Sequence, residues 1–490
     1  MKPFRFLILA LAAAAAGACS YQDSDLCRWV DPKIGSGEFG HVFVGADIPF
    51  GAVQLGPISV RADWDLCSGY HSTEDSTCIG FSHTRLGGSG MRDLCDVTLM
   101  PVTGEDFEYA RGTESDPHSG LWSYADRRHE ISEPGYYSVP LTRYGILAEV
   151  TSGNRVGYSR FTFPASEEAA IVIDLENGSG KGDETTGVEL RAVSDRMVVG
   201  RRSSMGWSDR GWDVADNEKI WFVAEFSKPF ENFSIKGNGM YGRADFSTAE
   251  GEQILVRVGI SPVSIENAEL NLRAEATDWD FDKVRSDARE AWNRELGKIR
   301  IKTSSERTKR IFYTALYHST QFPSVFSDVN GGYYGGDGRY YRAEGFDYYT
   351  NLSLWDTYRA VHPLYTLLMP ESVPDLVKSM LTSCEAIIKS CVGEKKWEEK
   401  MGEKADISLG DTIMMCSMLL RFSATAAMWI GVAACNARKV GWSGQAATVT
   451  LRTSGITINA PEEETFTVKK VDGNGPFAGV DGKAIADIVS

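Results

Sequence analysis

The sequence predicts a multidomain protein, a β-sandwich followed by an all-α domain. The chain has 490 residues, more than one ordinary hydrophobic core accommodates, so two large domains are expected. From about residue 121 to 262 the apolar residues alternate with a period of two, which is typical of half-buried strands. After Trp279 the apolar spacing becomes helical. Because strands and helices occur in separate runs, the sequence favours two domains in the order β then α.

The β-sandwich is predicted over residues 27–278. Its clearest strands are "KIWFVAEF" (219–226) and "QILVRVGIS" (253–261), in which every second residue is apolar. Shorter strands are predicted in "GILAEVT" (145–151) and "RVGYSRFTF" (155–163). Clusters of Gly, Pro and Asn separate these runs and predict turns.

The helical part begins with a linker helix over residues 279–300. In "DWDFDKVRSDAREAWNRELGKI" the apolar residues fall at helical spacing, and Asp280 precedes them in the position of an N-cap. Further helical segments are predicted in 301–392. They are "SSERTKRIFYTALYHSTQF", "NLSLWDTYRAVHPLYTLLM" and "PESVPDLVKSMLTSCEAIIKSC".

The composition changes in the tail, and residues 393–490 receive no domain assignment. All 19 tyrosines and all 7 histidines precede residue 382. An apolar run at 412–435 is either a membrane span or a buried helix, and Arg421 near its middle favours the buried helix. Beyond it, "ATVTLRTSGITI" (447–458) alternates like a strand.

Residues 1–19 have the pattern of a bacterial lipoprotein signal peptide. Lys2 and Arg5 precede an apolar run that ends in small residues directly before Cys19, the predicted lipidation site. The alternative is simple secretion after cleavage near Ala18. We therefore expect a periplasmic or outer-membrane lipoprotein of the bacterial cell envelope, which contacts membrane only through a lipid on Cys19.

The charge and the local motifs exclude several classes of function. Asp and Glu total 67 against 51 Lys and Arg, and the net charge of −16 argues against nucleic acid as a partner. None of the 9 cysteines lies in a CxxC pattern, which argues against a zinc cluster. Phosphate-loop, dinucleotide-binding, serine-hydrolase and HExxH signatures are missing from the sequence. A neutral or cationic ligand fits better than an anionic one.

Six segments, in order along the chain, resemble one known family. They are "VDPKIGSGEFGHVFVGADIPFGAVQLGP" (30–57), "WDLCSGYHSTEDSTCIGFSHTRLGGSG" (64–90), "EPGYYSVPLTRYGILAEVTSGNRVGYSRFTFP" (133–164), "WDFDKVRSDAREAWNRELGKI" (279–299), "FYTALYHSTQFPSVFSDVNGGYYGGDG" (312–338) and "YTNLSLWDTYRAVHPLYTLLMPE" (349–371). Over residues 27–381 the chain is similar to glycoside hydrolase family 92, the bacterial exo-α-mannosidases. The tail from 382 to 490 does not share this resemblance.

The resemblance implies a fold, a substrate and a cofactor. The expected fold is a β-supersandwich packed against an (α/α)6 barrel, of which residues 301–392 supply only the start. A sugar pocket between the two parts is expected to take mannose-containing glycans with α-1,2-linked mannose. The resemblance also implies calcium and inversion at the anomeric carbon, although it places no metal ligand on a residue of this chain.

The resemblance brings two groups of residues to the expected pocket. The loop from 64 to 90 supplies side chains that stack on sugar rings or bind hydroxyls, namely Trp64, Tyr70, His71, His83 and Arg85. The motif "SLWDT" supplies Trp355 and Asp356, and Arg359 lies one turn later, where it could pair with Asp356. For both groups the alternative is a structural role, in folding the loop or in filling the barrel.

The catalytic pair that the resemblance implies is missing from the sequence. In the family the general acid is a Glu in a motif like "EGNAWQY" and the base an Asp in one like "GNDD", and this chain contains neither motif. Asp472 and Asp481 lie among glycines without the expected context, so the catalytic residues stay unknown. We therefore expect a truncated or frameshifted mannosidase that is inactive or nearly so. The alternative is a non-catalytic carbohydrate-binding remnant.

Overall fold

A computed structural model describes most of residues 25–392 and three short tail segments. The described residues are 25–392 without 74, 89, 91, 181–182, 206–217, 336–337, 353–356 and 358–359, together with 447–452, 455–458 and 466–468. The predicted signal peptide with Cys19 lies outside the described residues. So do Trp355, Asp356 and Arg359 of the "SLWDT" region, and the apolar run at 412–435.

Two large antiparallel sheets form the first part of the chain. The six-stranded sheet has the order β1 (Gly56–Ile58), β3 (Gly80–Ser82), β4 (Thr98–Thr103), β10 (Ser166–Asp174), β15 (Tyr241–Thr248) and β14 (Asn232–Lys236). The eight-stranded sheet has the order β11 (Glu184–Ala192), β12 (Met197–Met205), β13 (Glu218–Phe226), β16 (Glu252–Ser261), β9 (Val156–Phe163), β8 (Ile146–Ser152), β7 (Tyr136–Leu141) and β6 (Ile131–Glu133). Three two-stranded ladders pair β2 (Thr77–Cys78) with β5 (Ser123–Tyr124), β18 (Ser324–Val325) with β21 (Tyr349–Thr350), and β19 (Gly332–Tyr334) with β20 (Tyr340–Arg342).

The two large sheets share one hydrophobic core. Leu99 and Ile171 of the first sheet and Phe161 and Phe222 of the second belong to the same buried cluster. In β13 and β16 the predicted alternation is confirmed, because the apolar faces of "KIWFVAEF" and "QILVRVGIS" both point into this core. Burial of these faces removes apolar surface from water. Each Å² of buried apolar surface contributes about 25 cal/mol of stabilising free energy to the packing of the sheets.

The long helices follow the sheets. They are α1 (Ile265–Glu275), α2 (Phe281–Leu296), α3 (Glu306–Ser319), α4 (Val361–Leu368) and α5 (Val373–Val392). The predicted linker helix is confirmed as α2, and the Asp280 carboxylate accepts a hydrogen bond from the Lys283 backbone N–H at 2.9 Å. The order of a β-rich region followed by a helical region is thus the one that the hydrophobic periods predict.

Helix α1 falls inside the segment that the sequence analysis assigned to the β-sandwich. The Ser264 hydroxyl caps it by accepting from the Asn267 backbone N–H at 3.2 Å. The helix lies on the outer face of the eight-stranded sheet, where Ala268 and Leu272 pack against Val223. Only three of its 11 residues are buried, so the apolar stripe is too sparse to reveal the helix in the sequence.

A second hydrophobic core lies among the helices. Trp292 of α2 and Tyr317 of α3 are fully buried, with ring centroids 4.4 Å apart. Leu26 and Trp29, which precede all strands in the sequence, also belong to this core. The start of the chain that the structure describes therefore packs with the helical region and not with the sheets.

Part of the tail forms strands. The tail contributes to a four-stranded sheet. In this sheet β17 (Ile299–Ile301) pairs with β23 (Gly455–Ile458), β23 pairs with β22 (Ala447–Arg452), and β22 pairs with β24 (Phe466–Val468). The strand pattern predicted in "ATVTLRTSGITI" is confirmed as the β22–β23 hairpin. Within the described part of the chain, no helix is both long and apolar enough to cross a membrane.

A buried carboxylate joins the two regions. Asp328, in the loop after β18, accepts hydrogen bonds from Ser261 Oγ at 2.8 Å, Asn267 Nδ2 at 2.7 Å and Asn271 Nδ2 at 2.6 Å. Ser261 ends β16, and the two asparagines lie on α1. These bonds hold the loop of the helical region against the edge of the β-rich region.

Substituting Asp328→Ala is expected to destabilise this junction. The change leaves two buried donors and one half-buried donor without their acceptor, and we expect the free energy of unfolding to fall by about 3 kcal/mol. Chemical denaturation of the variant measures this loss. The matched control is Asp287→Ala on the exposed face of α2, where the change should stay within about 0.5 kcal/mol. Equal losses in the two variants would contradict the assigned role of Asp328.

Candidate functional site

A cleft lies between the β-rich and helical regions. Residues 42–43 and 86–88 form the wall on the β-rich side. The wall on the helical side is formed by residues 318–319 and 321–323 at the end of α3, together with Asn351, Leu352, Thr357 and His362. The cleft thus has the position that the sequence analysis expected for a sugar pocket.

The described lining of this cleft is uncharged at neutral pH. It contains no Asp, Glu, Lys or Arg side chain. Burial lowers the pKa of His318, and burial lowers the pKa of His362 to about 4, so both imidazoles are neutral. A cleft with neutral amide, hydroxyl and aromatic groups suits a neutral polar ligand better than an ionic one.

Exposed aromatic rings stand beside the cleft. Trp64 is 52 % exposed and Phe39 is 68 % exposed, and their ring centroids lie 5.4 Å apart. The His41 ring meets the Trp64 ring edge-on, with the centroids 4.5 Å apart. The His41 backbone carbonyl accepts a hydrogen bond from the N–H of Gly88 in the cleft wall at 2.6 Å. We call Phe39, His41 and Trp64 the aromatic platform. Exposed aromatic faces of this kind are suited to stacking on the apolar face of a sugar ring.

The position of Trp64 is fixed by its own loop. It begins a short 3-10 turn, Trp64–Leu66, and its indole Nε1–H donates to the Gly90 carbonyl at 2.9 Å. A Cβ atom at position 90 would lie 2.8 Å from Cζ2 of Trp64, so a side chain at Gly90 would displace the ring. The glycines near the end of this loop therefore make room for the platform.

Tyr70 and His71 lie behind the platform and are buried. The Tyr70 hydroxyl donates to the Glu130 carboxylate at 3.0 Å, and the Arg127 guanidinium lies over the Tyr70 ring at 4.1 Å. His71 Nδ1 accepts from the Thr73 backbone N–H at 3.4 Å. Burial raises the pKa of Tyr70 above its ordinary range, so its hydroxyl keeps its proton. In this structure both side chains contact the protein and hold the loop.

His83 and Arg85 are also buried and do not line the cleft. His83 Nδ1 donates to the Val97 carbonyl at 2.6 Å, and burial lowers the pKa of His83 to about 4. The Arg85 guanidinium donates to Cys95 Sγ at 2.6 Å and to the Pro57 carbonyl at 2.8 Å. Of the five loop residues that the resemblance brought to the pocket, Trp64 is the one that the structure exposes beside the cleft.

Several cleft residues were given no role by the sequence analysis. His318, Gln321 and Phe322 lie in "FYTALYHSTQFPS", a segment that carries the family resemblance. The family resemblance of this segment could have indicated these residues, but histidine and glutamine side chains near a helix end have many structural roles. Leu352 and Thr357, which line the cleft, flank the "SLWD" residues in sequence.

The described residues do not form a recognisable metal site. Within the described part of the chain, no three side chains of His, Cys, Asp or Glu come together in a way that would hold a metal ion. The side chains described here therefore do not form a ligand set for the calcium ion that the resemblance implies.

Two family models match the chain in succession. The Glycosyl hydrolase family 92 N-terminal domain matches residues 29–261, and the Glycosyl hydrolase family 92 catalytic domain matches residues 267–454. The chain belongs to glycosyl hydrolase family 92. The family 92 matches meet between the end of β16 and the start of α1. The second match continues to residue 454, beyond residue 381 at which the sequence analysis ended the resemblance.

Solved structures of family 92 share this fold. A family GH92 alpha-mannosidase from Bacteroides thetaiotaomicron is 34% identical, with a TM-score of 0.69 over 74% of this chain and 49% of that chain. A second GH92 family glycosyl hydrolase is 25% identical, with a TM-score of 0.65 over 75% of this chain and 50% of that chain. Both have the β-rich part followed by the helical part.

A protein from Arthroderma benhamiae is also similar to this family 92 chain. An uncharacterized secreted glycosidase of Arthroderma benhamiae is 26% identical over 355 residues, which are 66% of this chain and 45% of that protein. The chain therefore spans about half the length of the relatives that it matches.

Proposed function

We propose that the cleft binds the terminal mannose of a mannose-containing glycan. The observation that carries this proposal is the uncharged cleft at the junction of the two family 92 regions, with an exposed Trp64 beside it. The Bacteroides thetaiotaomicron relative is an alpha-mannosidase, and its structure was also solved with mannoimidazole. The proposed parent reaction is exo-hydrolysis of α-1,2-linked mannose with inversion.

The proposal includes the finer architecture and the location. The two sheets would form the supersandwich of the family, α2 would be the linker helix, and α3 to α5 would belong to the start of an (α/α)6 barrel. Calcium would need ligands from residues outside the described part. A secreted envelope lipoprotein held by a lipid on Cys19 is consistent with the relative from Arthroderma benhamiae, which is a secreted glycosidase.

The binding step can be derived from the chain's own groups. Trp64 and Phe39 offer apolar ring faces to the C–H groups of a pyranose, while the Asn351 amide in the cleft wall is an available type of partner for its hydroxyls. Because the described lining carries no charge, the desolvation cost falls mainly on the sugar hydroxyls, which need hydrogen-bond partners in the cleft, and no ionic group of the lining has to lose its water. The arrangement therefore favours binding of an uncharged sugar ring.

Hydrolysis makes a further demand that the described cleft does not meet. An inverting glycosidase needs two carboxyl groups roughly 6.5–9.5 Å apart, one as acid and one as base. The described lining has no carboxylate, and the sequence lacks the two motifs that carry them in the family. This observation favours the second candidate function, a non-catalytic carbohydrate-binding protein.

Substituting Trp64→Ala tests the binding proposal. We expect the affinity for methyl α-mannoside to fall about three- to tenfold, because stacking on an aromatic face is worth about 0.5–1.5 kcal/mol. Titration calorimetry measures the change. The matched control is Tyr340→Ala, since Tyr340 is 50 % exposed but lies on β20 against Tyr334 and belongs neither to the cleft lining nor to the aromatic platform. Binding that is unchanged in the Trp64 variant, or lost equally in both variants, would contradict the proposed site.

A further inference from the structure

A chain of hydrogen bonds runs behind the cleft wall on the helical side. Asp47 is fully buried, and its Oδ2 lies 3.0 Å from Gln321 Nε2. Gln321 Oε1 lies 3.0 Å from His318 Nδ1, and His318 Nε2 lies 3.1 Å from the Ile34 carbonyl oxygen. Tyr317 completes the chain, because its hydroxyl donates to Asp47 Oδ1 at 3.1 Å.

The chemistry of these atoms restricts where protons can lie. A carbonyl oxygen only accepts, so His318 Nε2 must carry a hydrogen to bond to Ile34. A neutral His318 then has a bare Nδ1, which needs a donor. Gln321 supplies that donor if its amide is turned over, since the two ends of an amide have the same shape.

Turning the amide over places its oxygen against Asp47. Two oxygens 3.0 Å apart need a proton between them, so Asp47 must then be a neutral carboxylic acid that donates to Gln321. In the alternative arrangement, His318 is an imidazolium, Asp47 is a carboxylate and the amide has the opposite orientation. Both arrangements have zero net charge, and they differ in the position of one proton and in the orientation of the amide.

Burial makes the two arrangements unequal in free energy. Burial raises the pKa of Asp47 to about 8 against the opposing effect of bonds from Gln321 and Tyr317, and burial lowers the pKa of His318. Two further groups act on these hydrogen-bonded residues. The charge of Asp31 favours protonated His318, and the Cys27 thiol lies near Tyr317. Since two buried charges cost more than none, the neutral arrangement is favoured.

We propose that the Gln321 amide is a reversible switch that links the protonation of Asp47 to the tautomer of His318 in the cleft wall. At neutral pH, Asp47 is a neutral acid and His318 carries its single proton on Nε2. When Asp47 releases its proton to solvent, the amide turns its NH₂ group towards the new carboxylate. Its oxygen then faces Nδ1, and His318 moves its proton from Nε2 to Nδ1.

The switch would act on the proposed sugar site through Ile34. The His318 bond to Ile34 anchors the segment that continues to Phe39 and His41 of the aromatic platform. Loss of the Nε2 proton removes this anchor. Asp47 and Gln321 are therefore positioning residues, and this consequence for sugar binding rests on the function proposed above.

Histidine side-chain NMR tests the switch on the ligand-free protein. With ¹⁵N-labelled histidine, the signals of His318 are assigned by their loss in His318→Gln. We expect the Nε2–H tautomer at pH 6.5 and a change to Nδ1–H with a midpoint near the Asp47 pKa of about 8. Asp47→Asn keeps the shape of the neutral acid, so His318 should stay Nε2–H from pH 6 to 9.

A matched variant separates the switch from a simple effect of nearby charge. Asp31→Asn removes the other carboxylate that acts on His318 and should leave the wild-type change of tautomer intact. A doubly protonated or Nδ1–H His318 at pH 6.5 in the wild type would overturn the proposal, as would a change of tautomer that persists in Asp47→Asn. If Asp47→Asn does not fold, the wild-type titration decides alone. Because no sugar is present, failure here is distinct from failure to bind methyl α-mannoside.

Discussion

The 490-residue protein is expected to bind methyl α-mannoside but to release almost no mannose from α-1,2-mannobiose. General acid and general base each accelerate such a reaction by about 10²–10⁴. Inversion needs both groups at once, and the described cleft lining provides neither. Relative to a family member that holds both carboxylates, the rate should therefore be lower by a factor of about 10⁴ or more.

The assay compares mannose release with and without a calcium chelator. The positive control is a full-length family 92 mannosidase assayed at the same concentration, and binding of methyl α-mannoside shows that the site is formed. Robust turnover that the chelator removes would show that the acid and base are present outside the described cleft lining. Asp472 and Asp481 would then be the first residues to substitute.

The sheets and the linker helix could be predicted because each buries one regular face. The alternation in "KIWFVAEF" and "QILVRVGIS" follows the core between the two sheets, and the Asp280 cap marks the start of α2. Such signals are local, since they depend only on the spacing of apolar residues and on one capping side chain.

Other parts of the fold depend on contacts distant in sequence. Leu26 and Trp29 pack with Trp292, more than 250 residues later, and no local pattern in the first segment indicates that partner. Helix α1 has too few buried residues to show a helical stripe. These features follow from tertiary packing, which overrides local propensity.

The candidate site illustrates the same limit at the level of single side chains. Trp64 and Tyr70 occur six residues apart in one loop and both are chemically suited to sugars, but Trp64 is exposed and Tyr70 is bonded to Glu130. The partner of Tyr70 lies 60 residues away in sequence. Asp47 and Gln321 could not be connected, because 274 residues separate them and the family resemblance of their two segments does not pair one with the other.

Substituting Asp47→Asn is expected to change how the stability of the protein depends on pH. Burial raises the pKa of Asp47 from 3.8 in the unfolded chain to about 8 in the native protein. Between these values the native state holds a proton that the unfolded state has released, so the wild-type free energy of unfolding falls as pH rises. The asparagine does not titrate, and its amide can donate to Gln321 as the neutral acid does.

As pH rises, the free energy of unfolding of Asp47→Asn should therefore increase relative to that of the wild type. The expected slope is about 1.4 kcal/mol for each pH unit between about pH 4 and 8, with no further change at higher pH. Chemical denaturation of both proteins at pH 5, 6 and 7 measures it, and Asp287→Asn on the exposed face of α2 is the control for a general effect of removing one carboxylate. A difference that does not vary with pH would mean that Asp47 is ionised in the native protein. Because the neutral arrangement needs Asp47 to carry a proton at these pH values, that result would also contradict the neutral arrangement behind the cleft wall.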